Sequence, residues 1–372
     1  MPSRTRPDAC PGVLATHEAA DGPLARVRLP GGRLRAEQGR LLADCADELG
    51  DGAVHLTSRG NLQLRAVRDT EELAERLSHA GLLPSAGHDR VRNVLASPLS
   101  GLHGGSADVR PLVAALDEAV RSSDELADLP GRFLLAVDDG RGDVACEGAD
   151  ACWRATSPLE GALLLDGADT GLRVPASAAA SALVELALAF QRVRGRAWRV
   201  GELDDEGRAA VLDSARPLAR RVEPARLPLS GPPPVGTYGR VVVAAAPFGR
   251  LRATVLRSLG ELVVTPWRTL VVTGVAGQRL ADMGLVVDPE APSLRVSACI
   301  GSPGCAKSRS DVRADATAVL DLGVRAHFSG CERRCGRPRE PHVDVLADEG
   351  GYRVEGNLVP TAELGNALKG RL

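Results

Sequence analysis

The chain has few aromatic residues: phenylalanine, tryptophan and tyrosine together make up 2% of its 372 residues. Proteins that bind single-stranded nucleic acid without sequence preference stack the bases on aromatic side chains, and this composition shows no such platform. The formal net charge of −2 indicates neither a nucleic-acid partner nor an anionic membrane surface. No GxGxxG motif follows an apolar strand pattern, so no dinucleotide site is visible.

Long hydrophobic runs are also scarce. The longest apolar stretch, residues 176–190, contains Ser177, Ser181 and Glu185, which makes it too short and too polar to cross a bilayer. Residues 1–6 lack the apolar segment of a signal peptide. We therefore expect a soluble, cytoplasmic protein whose length allows two or three domains.

Four cysteines near the C-terminus carry the strongest chemical signal. Their spacing is C-x5-C, then 25 residues, then C-x3-C. Four thiolates presented by two loops are typical ligands of an iron–sulfur cluster. Zinc sites more often use C-x2-C or C-x4-C pairs and disulfides need an oxidising compartment, so zinc, disulfides and unrelated thiols are the weaker alternatives. The four residues are Cys299, Cys305, Cys331 and Cys335.

The other four cysteines show no sign of belonging to the same site. Cys45 lies on the apolar face of a predicted helix, which indicates a core residue. Cys10 lies in a proline-rich beginning of the chain for which we predict little order. Cys146 and Cys152 repeat the x5 spacing but have no x3 pair nearby, so we attribute their spacing to chance.

An internal repeat organises the rest of the chain. The sequence GRLRA occurs at residues 32–36 and again at residues 249–253. Each copy follows an apolar strand pattern and precedes a helical pattern, a strand pair and a second helical pattern. The repeat predicts two β-α-β-β-α halves that pair around a pseudo-two-fold axis. The predicted segments are two half-domains, residues 15–88 and 236–290, and two core segments, residues 89–226 and 291–372, with a proline-rich linker at residues 227–236.

Several stretches resemble, in the same order, the nitrite and sulfite reductase family. Residues 56–64 (LTSRGNLQL) resemble the family's TTRQNIQLH strand, and residues 92–101 (RNVLASPLSG) resemble its RNVxxxPxAG turn. Residues 129–133 (LPGRF) resemble its LPRKFK segment, and the four cysteines resemble its cluster signature. The resemblance implies an α+β fold in which two ferredoxin-like half-domains are interleaved with two α/β core segments.

The same resemblance implies a cofactor arrangement. A [4Fe–4S] cluster would be held by the four cysteines beside a sirohaem, with Cys335 bridging the cluster and the sirohaem iron. Basic residues matching Arg59, Arg92 and Arg132 would face the macrocycle or a substrate anion.

The departures from the reductase pattern indicate a different substrate. Leu134 stands where the reductases carry a second basic residue, and the lost cation is both a proton source and a clamp for a small oxyanion. His342 and Asp344 replace the family's acidic and small positions. Residues 263–268 (VVTPWR) and the Arg337-Pro338 pair resemble instead a branch that hydroxylates a tetrapyrrole substrate with O2 and forms a lactone in aerobic cobalamin biosynthesis.

That branch implies precorrin-3A as the substrate, a [4Fe–4S] cluster, a further mononuclear iron, and an external electron donor such as a ferredoxin or an NAD(P)H-dependent reductase. A ring bearing several carboxylates needs fixed cations, and arginine forks bind carboxylates bidentately. We predict that these cations are Arg59, Arg92, Arg132, Arg268, Lys307 and Arg309.

Several alternatives stay open at this point. Lys307 and Arg309 could instead balance the charge of the cluster, while we interpret Arg65, Arg90 and Arg333 as ordinary surface residues. No iron-binding facial triad can be recognised among His55, His103, His327 and His342, and no catalytic acid or base is identified. The alternative functions are a sirohaem-dependent nitrite or sulfite reductase and a non-catalytic electron-transfer or tetrapyrrole-binding protein.

Overall fold

The structure is a computed structural model that describes residues 10–338, 340–369 and 371. Residues 1–6, on which the prediction about a signal peptide rests, lie outside the described residues. The described chain forms four β-sheets with helices packed on them. This arrangement confirms the predicted α+β class, with half-domain, core, half-domain and core following one another along the chain.

The first half-domain is a sheet covered by two helices. Buried residues at three- to four-residue spacing, among them Leu42, Cys45 and Ala46, turn one face of its first helix toward the core. The side chain of Asp69 accepts the first free N–H groups of the second helix and so fixes where that helix begins. The elements are β1 (His17–Ala19), β2 (Gly22–Val27), β3 (Arg33–Leu34), α1 (Ala36–Leu49), β4 (Ala53–Leu56), β5 (Leu62–Leu64) and α2 (Thr70–His79).

The first core unit is a six-stranded sheet. Its first three strands run parallel, and the strands that follow are antiparallel. The elements are β6 (Val94–Ala96), α3 (Arg110–Arg121), β7 (Leu135–Asp138), β8 (Ala151–Ala155), β9 (Glu160–Leu165), β10 (Ala168–Pro175), α4 (Ala179–Val193), α5 (Asp205–Ala215) and β11 (Arg220–Arg221).

Helix α4 contains the longest apolar stretch of the chain. With the 3-10 turn before it, Ala176–Val193 is 18 residues long and, within the described part of the chain, the one helical stretch that could cross a membrane by length and composition. The sequence analysis underestimated this length. Core helices meet the same criterion, and Leu183, Leu186 and Phe190 are buried in the core of this unit. We therefore interpret α4 as a core helix.

The second half of the chain follows an irregular, proline-rich stretch at residues 222–235. Its half-domain again consists of a sheet with two helices, and its core unit is a five-stranded sheet. The elements are β12 (Gly236–Tyr238), β13 (Val241–Ala245), β14 (Arg250–Arg252), α6 (Ala253–Ser258), β15 (Leu262–Val264), β16 (Thr269–Thr273), α7 (Gly277–Asp282), β17 (Val296–Ala298), α8 (Val312–Thr317), β18 (Ala326–Ser329), β19 (Val343–Asp348), β20 (Gly351–Val354), β21 (Asn357–Val359) and α9 (Leu364–Leu368).

The repeated GRLRA sequence is the place where the two half-domains exchange strands. Strand β3 pairs with β15 of the second half-domain, while β14 pairs with β4 of the first. Each copy therefore completes the sheet of the other, as a pseudo-two-fold axis requires. Gly32 is needed at this crossing, since a Cβ atom on it would lie 2.0 Å from the carbonyl oxygen of Val264.

The duplication extends to the core units, which the sequence repeat did not predict. Strands β6, β7 and β8 form a parallel set followed by antiparallel strands, and β17, β18 and β19 do the same. In each copy the antiparallel strand that ends this run, β10 or β21, leads through a proline into a 3-10 turn and a helix. The two cores share topology rather than residues, so a sequence comparison within the chain misses the relation.

Candidate metal centre and ligand site

The two cysteine pairs lie in loops at the same edge of the last sheet. Cys299 directly follows β17 and Cys331 follows β18 by one residue, and because these strands are parallel their carboxyl ends meet. The backbone N–H of Gly330 donates to the sulfur of Cys299 at 3.2 Å. The N–H of Arg309 donates to the carbonyl of Gly330 at 2.9 Å, which ties the first loop to the second.

The other three thiols of the set lie near enough to act on the charge of Cys335. Burial raises the pKa of Cys335, and the nearby Cys299, Cys331 and Cys305 raise it further, while Arg333 acts in the opposite direction. The loops approach so closely that a Cβ atom on Gly330 would lie 1.8 Å from the hydroxyl of Ser308. Four converging thiols with a backbone N–H aimed at one sulfur fit an iron–sulfur cluster.

The first core unit holds a polar counterpart of this site. Ser97 follows β6 as Cys299 follows β17, and the N–H of Asp139 donates to its hydroxyl oxygen at 3.1 Å, as Gly330 does to the sulfur of Cys299. The Ser97 hydroxyl in turn donates to Asp143 at 2.6 Å, and burial raises the pKa of that carboxyl to about 7. Arg141 pairs with Asp139 at 2.8 Å. An internal ion-pair network therefore occupies, in the first copy, the place that the thiols take in the second.

Two matching turns bring the arginines of both half-domains to this region. In residues 57–61, the hydroxyl of Thr57 accepts the backbone N–H groups two and four positions further on. Thr265 does the same in residues 265–269. In both turns the threonine N–H also donates to the carbonyl four residues on, at 3.0 Å. The turns lie side by side, because a Cβ atom on Gly60 would be 3.0 Å from the carbonyl oxygen of Val264.

Arg268 departs from this symmetry. It has φ = 60°, and the matching residue of the first turn is Gly60, with φ = 62°. A left-handed backbone costs an L-residue about 1–2 kcal/mol, so the arginine is held there under strain. Its guanidinium lies beside Gly336, the neighbour of Cys335, and within residues 10–338, 340–369 and 371 it has no ion pair or hydrogen bond. Burial lowers the pKa of Arg268.

Arg59 and Arg132 form the opposite side of this region. The two terminal nitrogens of Arg59 donate to the carbonyls of Gly131 and Arg132, at 3.2 and 3.0 Å. Burial lowers the pKa of Arg59. The guanidinium of Arg132 stacks on the ring of Trp198, with 5.1 Å between its Cζ atom and the ring centroid. Leu134 is 3% exposed and belongs to an apolar cluster against which Trp267 packs. Arg59 and Arg132 therefore lie together at the segment that leads into Leu134, and Trp267, the chain neighbour of Arg268, packs against the cluster that contains Leu134.

Comparison with known proteins agrees with this geometry. Residues 17–80 match the nitrite/sulfite reductase ferredoxin-like half domain. The chain is 26% identical to a precorrin-3B synthase from Sinorhizobium sp over 93% of this chain and 82% of the relative. It is 28% identical to the ferredoxin–nitrite reductase of Synechococcus elongatus over 92% of this chain and 79% of the relative.

Among solved structures, the NirA protein of Mycobacterium tuberculosis has the same fold. The TM-score is 0.69 at 21% sequence identity, and the match covers 92% of this chain and 79% of NirA. Residues 17–80 are therefore a nitrite/sulfite reductase ferredoxin-like half domain, and the rest of the chain is similar to precorrin-3B synthase and nitrite reductase relatives and shares the fold of NirA. These relatives are oxidoreductases, and the matched half-domain contains Arg59 and the first of the two turns.

Three of the six predicted ligand-binding cations have surroundings that differ from those of Arg59, Arg132 and Arg268. Arg92 is buried and forms a bidentate ion pair with Asp117, at 2.7 and 2.8 Å, which indicates a structural role. Arg309 pairs with Asp348 on the far side of its loop. Lys307 is exposed, with no hydrogen bond or ion pair among the described residues. Arg59, Arg132 and Arg268 are therefore the best-placed candidate ligand-binding cations, while the roles predicted for Arg92, Lys307 and Arg309 stay predictions.

Arg65 is not the ordinary surface residue that the sequence analysis expected. It is 7% exposed, it forms a bidentate pair with Asp21, and its terminal nitrogen donates to the carbonyl of Gly304 at 2.6 Å. It therefore anchors the first cysteine loop to the first half-domain. Arg90 and Arg333 are exposed, as expected.

The sequence analysis missed a pair of histidines beside the cysteines. The rings of His327 and His342 lie 6.1 Å apart, because β18 and β19 are parallel neighbours that place His327 opposite Asp344. His327 contacts the hydroxyl of Ser297 at 2.8 Å, and burial lowers its pKa to about 4. The other ring nitrogen, Nε2, is buried without a partner among the described residues. The register of two parallel strands, which sequence spacing does not show, creates this pair.

No ligand set for a mononuclear iron can be assigned from these residues. The two ring nitrogens of His342 already contact Arg337 and the carbonyl of Glu340. Across the described ranges, one group of three such side chains converges within 4.8 Å, namely Asp138, Asp139 and Asp143 of the first core. Two arginines already offset part of its charge, Arg141 at 2.8 Å from Asp139 and Arg154 at 3.8 Å from Asp138.

Proposed function

We propose that this chain is an O2-dependent precorrin-3B synthase, which hydroxylates precorrin-3A and forms a lactone in aerobic cobalamin biosynthesis in the cytoplasm. The burial of Leu134 carries this proposal. At the position where the resembling reductases hold a second basic residue, this chain has an apolar side chain packed in a cluster. A small oxyanion loses its clamp there, whereas O2 needs none. The precorrin-3B synthase relative from Sinorhizobium sp supports the same choice.

The four thiols would hold a [4Fe–4S] cluster through Cys299, Cys305, Cys331 and Cys335. Such a cluster, when bound, passes single electrons from an external donor, such as a ferredoxin or an NAD(P)H-dependent reductase. Gly330 prepares the site by directing its N–H toward the sulfur of Cys299. Arg65 fixes the first cysteine loop by donating to the carbonyl of Gly304.

Three arginines would bind the carboxylates of the tetrapyrrole. Arg59 is oriented by two carbonyl acceptors and Arg132 by its stacking on Trp198, so both lose little freedom when a ligand binds. Arg268 has an unpaired guanidinium beside Gly336 and can offer both arms of its fork. A hydrogen bond to a charged group contributes about 1.5–3 kcal/mol, so these residues can orient the ring over the cysteine loop.

The proposed hydroxylation balances with an external reductant, and the lactone closes without further electrons when the carboxylic acid of a ring acetate adds across a C=N bond of the macrocycle and its proton passes to the nitrogen. One oxygen atom of O2 enters the macrocycle as the hydroxyl group, and the other leaves as water. Two electrons from the donor and two protons from solvent complete the water molecule. The apolar cluster around Leu134 would keep bulk water away from the ring on that side.

The second candidate is a sirohaem-dependent nitrite or sulfite reductase. The nitrite reductase of Synechococcus elongatus, 28% identical over 92% of this chain, favours it. A non-catalytic electron-transfer or tetrapyrrole-binding protein is the third candidate. Pure electron transfer does not explain why Arg268 occupies a strained conformation with its charge unpaired beside the cysteine loop.

Turnover in labelled oxygen distinguishes the candidates. The purified chain, with an electron-donor system, is incubated with precorrin-3A under 18O2, and the product is analysed by mass spectrometry. The proposal predicts incorporation of one labelled oxygen atom into the tetrapyrrole. Unlabelled, unchanged precorrin-3A together with reduction of nitrite or sulfite would contradict the proposal and support the reductase.

A further inference from the structure

We propose that Arg313 is a positioning residue that raises the reduction potential of the cluster held by the four cysteines. It would do so by keeping an unpaired positive charge against the backbone carbonyl of Cys299. This inference rests on the cluster of the proposed function. Neither the cysteine spacing nor the family resemblance singled out Arg313.

Two hydrogen bonds fix the guanidinium of Arg313. It is the second residue of α8, and its Nε donates to the carbonyl oxygen of Cys299 at 3.1 Å. Its Nη2 donates to the carbonyl oxygen of Phe248, in the second half-domain, at 3.3 Å. The side chain of Asp311 accepts an N–H of α8 and fixes the beginning of this helix. Arg313 is therefore held between the first cysteine loop and the second half-domain.

The charge of Arg313 is not neutralised locally. Within the described ranges no carboxylate lies at ion-pair distance from it. Two other arginines close to the cysteines are paired, Arg65 with Asp21 and Arg334 with Asp344, both at 2.8 Å, whereas Arg268 resembles Arg313 in having no ion pair among the described residues. Burial, together with the charges of nearby arginines, lowers the pKa of Arg313 to about 10, which leaves it protonated at neutral pH.

The first copy provides an internal comparison. There the carbonyl of Ser97, the residue that matches Cys299, accepts the backbone N–H of Ser100 at 3.1 Å. In the copy without the four cysteines, an uncharged backbone N–H therefore donates to the carbonyl of Ser97. In the second copy a cation takes over this role, so Arg313 is specific to the copy with the four cysteines.

The cavities beside the two loops also differ between the copies, and the larger cavity is in the copy with the four cysteines. In the first copy, the cavity between the loop after β6 and the second half-domain measures about 150 Å³. The matching cavity in the second copy measures about 890 Å³, and its lining includes Arg313, Arg250 and His55. Ala314 and Thr317 of α8 line the enlarged cavity and are exposed, so residues on this face can be replaced without disturbing a core.

The charge of the cluster explains why a nearby cation changes its reduction potential. Four thiolates give an iron–sulfur cluster negative charge, and reduction adds one more electron. A fixed cation next to one ligand stabilises the reduced form more than the oxidised form, because the Coulomb interaction grows with the charge of the cluster. Removing the cation should therefore lower the reduction potential of the cluster.

The test is a redox titration of the anaerobically purified full chain, followed by EPR of the reduced cluster. We expect Arg313→Gln, which keeps donors for the two carbonyls, to lower the ratio of reduced to oxidised cluster about tenfold at a fixed potential. For a one-electron couple this equals about 59 mV. Arg313→Lys, which keeps the charge, should stay within about twofold of the wild type. Arg309→Gln is the matched control, since Arg309 is in the same region but already paired with Asp348.

A second variant guards against loss of folding in Arg313→Gln. Thr317 lies one turn further along α8, is exposed and lines the same cavity. Thr317→Glu would place a carboxylate four residues from Arg313 and pair its charge, so it should shift the potential in the same direction while Arg313 remains. A wild-type titration for Arg313→Gln or Thr317→Glu at full iron content would overturn the inference, as would an equal shift in Arg309→Gln.

The failure of the proposed function has a different signature. If wild-type protein contains neither iron nor inorganic sulfide, the cluster itself is wrong and this inference ends with it. If iron and sulfide are present and only the shift is missing, the cluster stands and the role of Arg313 is refuted.

Discussion

Replacing Arg268 with glycine should stabilise the fold and weaken ligand binding at the same time. The residue has φ = 60° in a turn whose counterpart in the first copy is glycine. Removing the left-handed strain should raise the free energy of unfolding by about 1–2 kcal/mol. The extra backbone freedom of glycine in the unfolded chain offsets about 0.5–1 kcal/mol of that gain. The expected net effect is an increase of about 1 kcal/mol in the free energy of unfolding.

The effect on the ligand has the opposite sign. Arg268→Gly removes an unpaired guanidinium from the cysteine loop, and a lost hydrogen bond to a carboxylate weakens binding by about 1.5–3 kcal/mol. This corresponds to roughly 10- to 100-fold in the dissociation constant. Urea denaturation measures the first effect, and titration with a carboxylated tetrapyrrole, followed by absorption, measures the second.

Two controls separate strain from charge. Arg268→Ala removes the charge but retains a Cβ at the left-handed position, so it should weaken binding without the gain in stability. Gly60→Ala introduces the same strain into the first turn, where the new Cβ would be 3.0 Å from the Val264 carbonyl oxygen, and should destabilise the chain. If Arg268→Gly lowers stability, or binds the tetrapyrrole as tightly as the wild type does, the reasoning about this residue is refuted.

Three further predictions concern the cysteines, the buried carboxyl and the buried ion pair. Cys335→Ser should lose most of the iron and sulfide; analysis showing full iron content and full turnover would remove Cys335 from the ligand set. Burial raises the pKa of Asp143 from 3.8 to about 7, so its contribution to stability is complete below about pH 4 and is lost as the pH rises toward 7. Asp143→Asn should therefore flatten the decline in the free energy of unfolding between these pH values. An unchanged slope would argue against the assignment. Arg92→Ala removes the bidentate partner of Asp117 and leaves it only the longer contact to Arg121 at 3.4 Å, so it should cost about 2 kcal/mol in urea denaturation with the iron content intact, whereas a purely functional Arg92 would leave stability unchanged.

The sequence was sufficient for the features that rest on local patterns. The GRLRA repeat, the helical spacing around Cys45 and the strand pairs on both sides of each turn predicted the half-domains, and the structure confirms these elements. The repeat also pointed to a pseudo-two-fold arrangement, which appears as the exchange of β3 and β14 between the two sheets.

The sequence was insufficient where two distant segments define a feature together. The relation between the two core units became visible only through strand order, because Ser97 and Cys299 correspond by position and hydrogen bonding but not by residue type. The contacts of Arg313 and the neighbourhood of His327 also depend on the packing of separate segments.

Charge alone was a poor guide to the role of an arginine. The sequence analysis selected Arg92 as a ligand-binding residue and dismissed Arg65, yet both are buried and bidentately paired. What separates Arg268 and Arg313 from them is the lack of a carboxylate partner among the described residues, and only the folded chain shows which carboxylates are near.

The visible absorption spectrum of anaerobically purified protein, recorded with iron and sulfide analysis, tests the central claim most directly. We predict a broad sulfur-to-iron shoulder without sharp macrocycle bands, with iron and inorganic sulfide in the ratio of a [4Fe–4S] cluster. That result means a cluster on the four cysteines and a tetrapyrrole site left free for a substrate. An intense Soret-type band with a partner in the red would mean a resident sirohaem, and it would contradict the synthase in favour of the reductase.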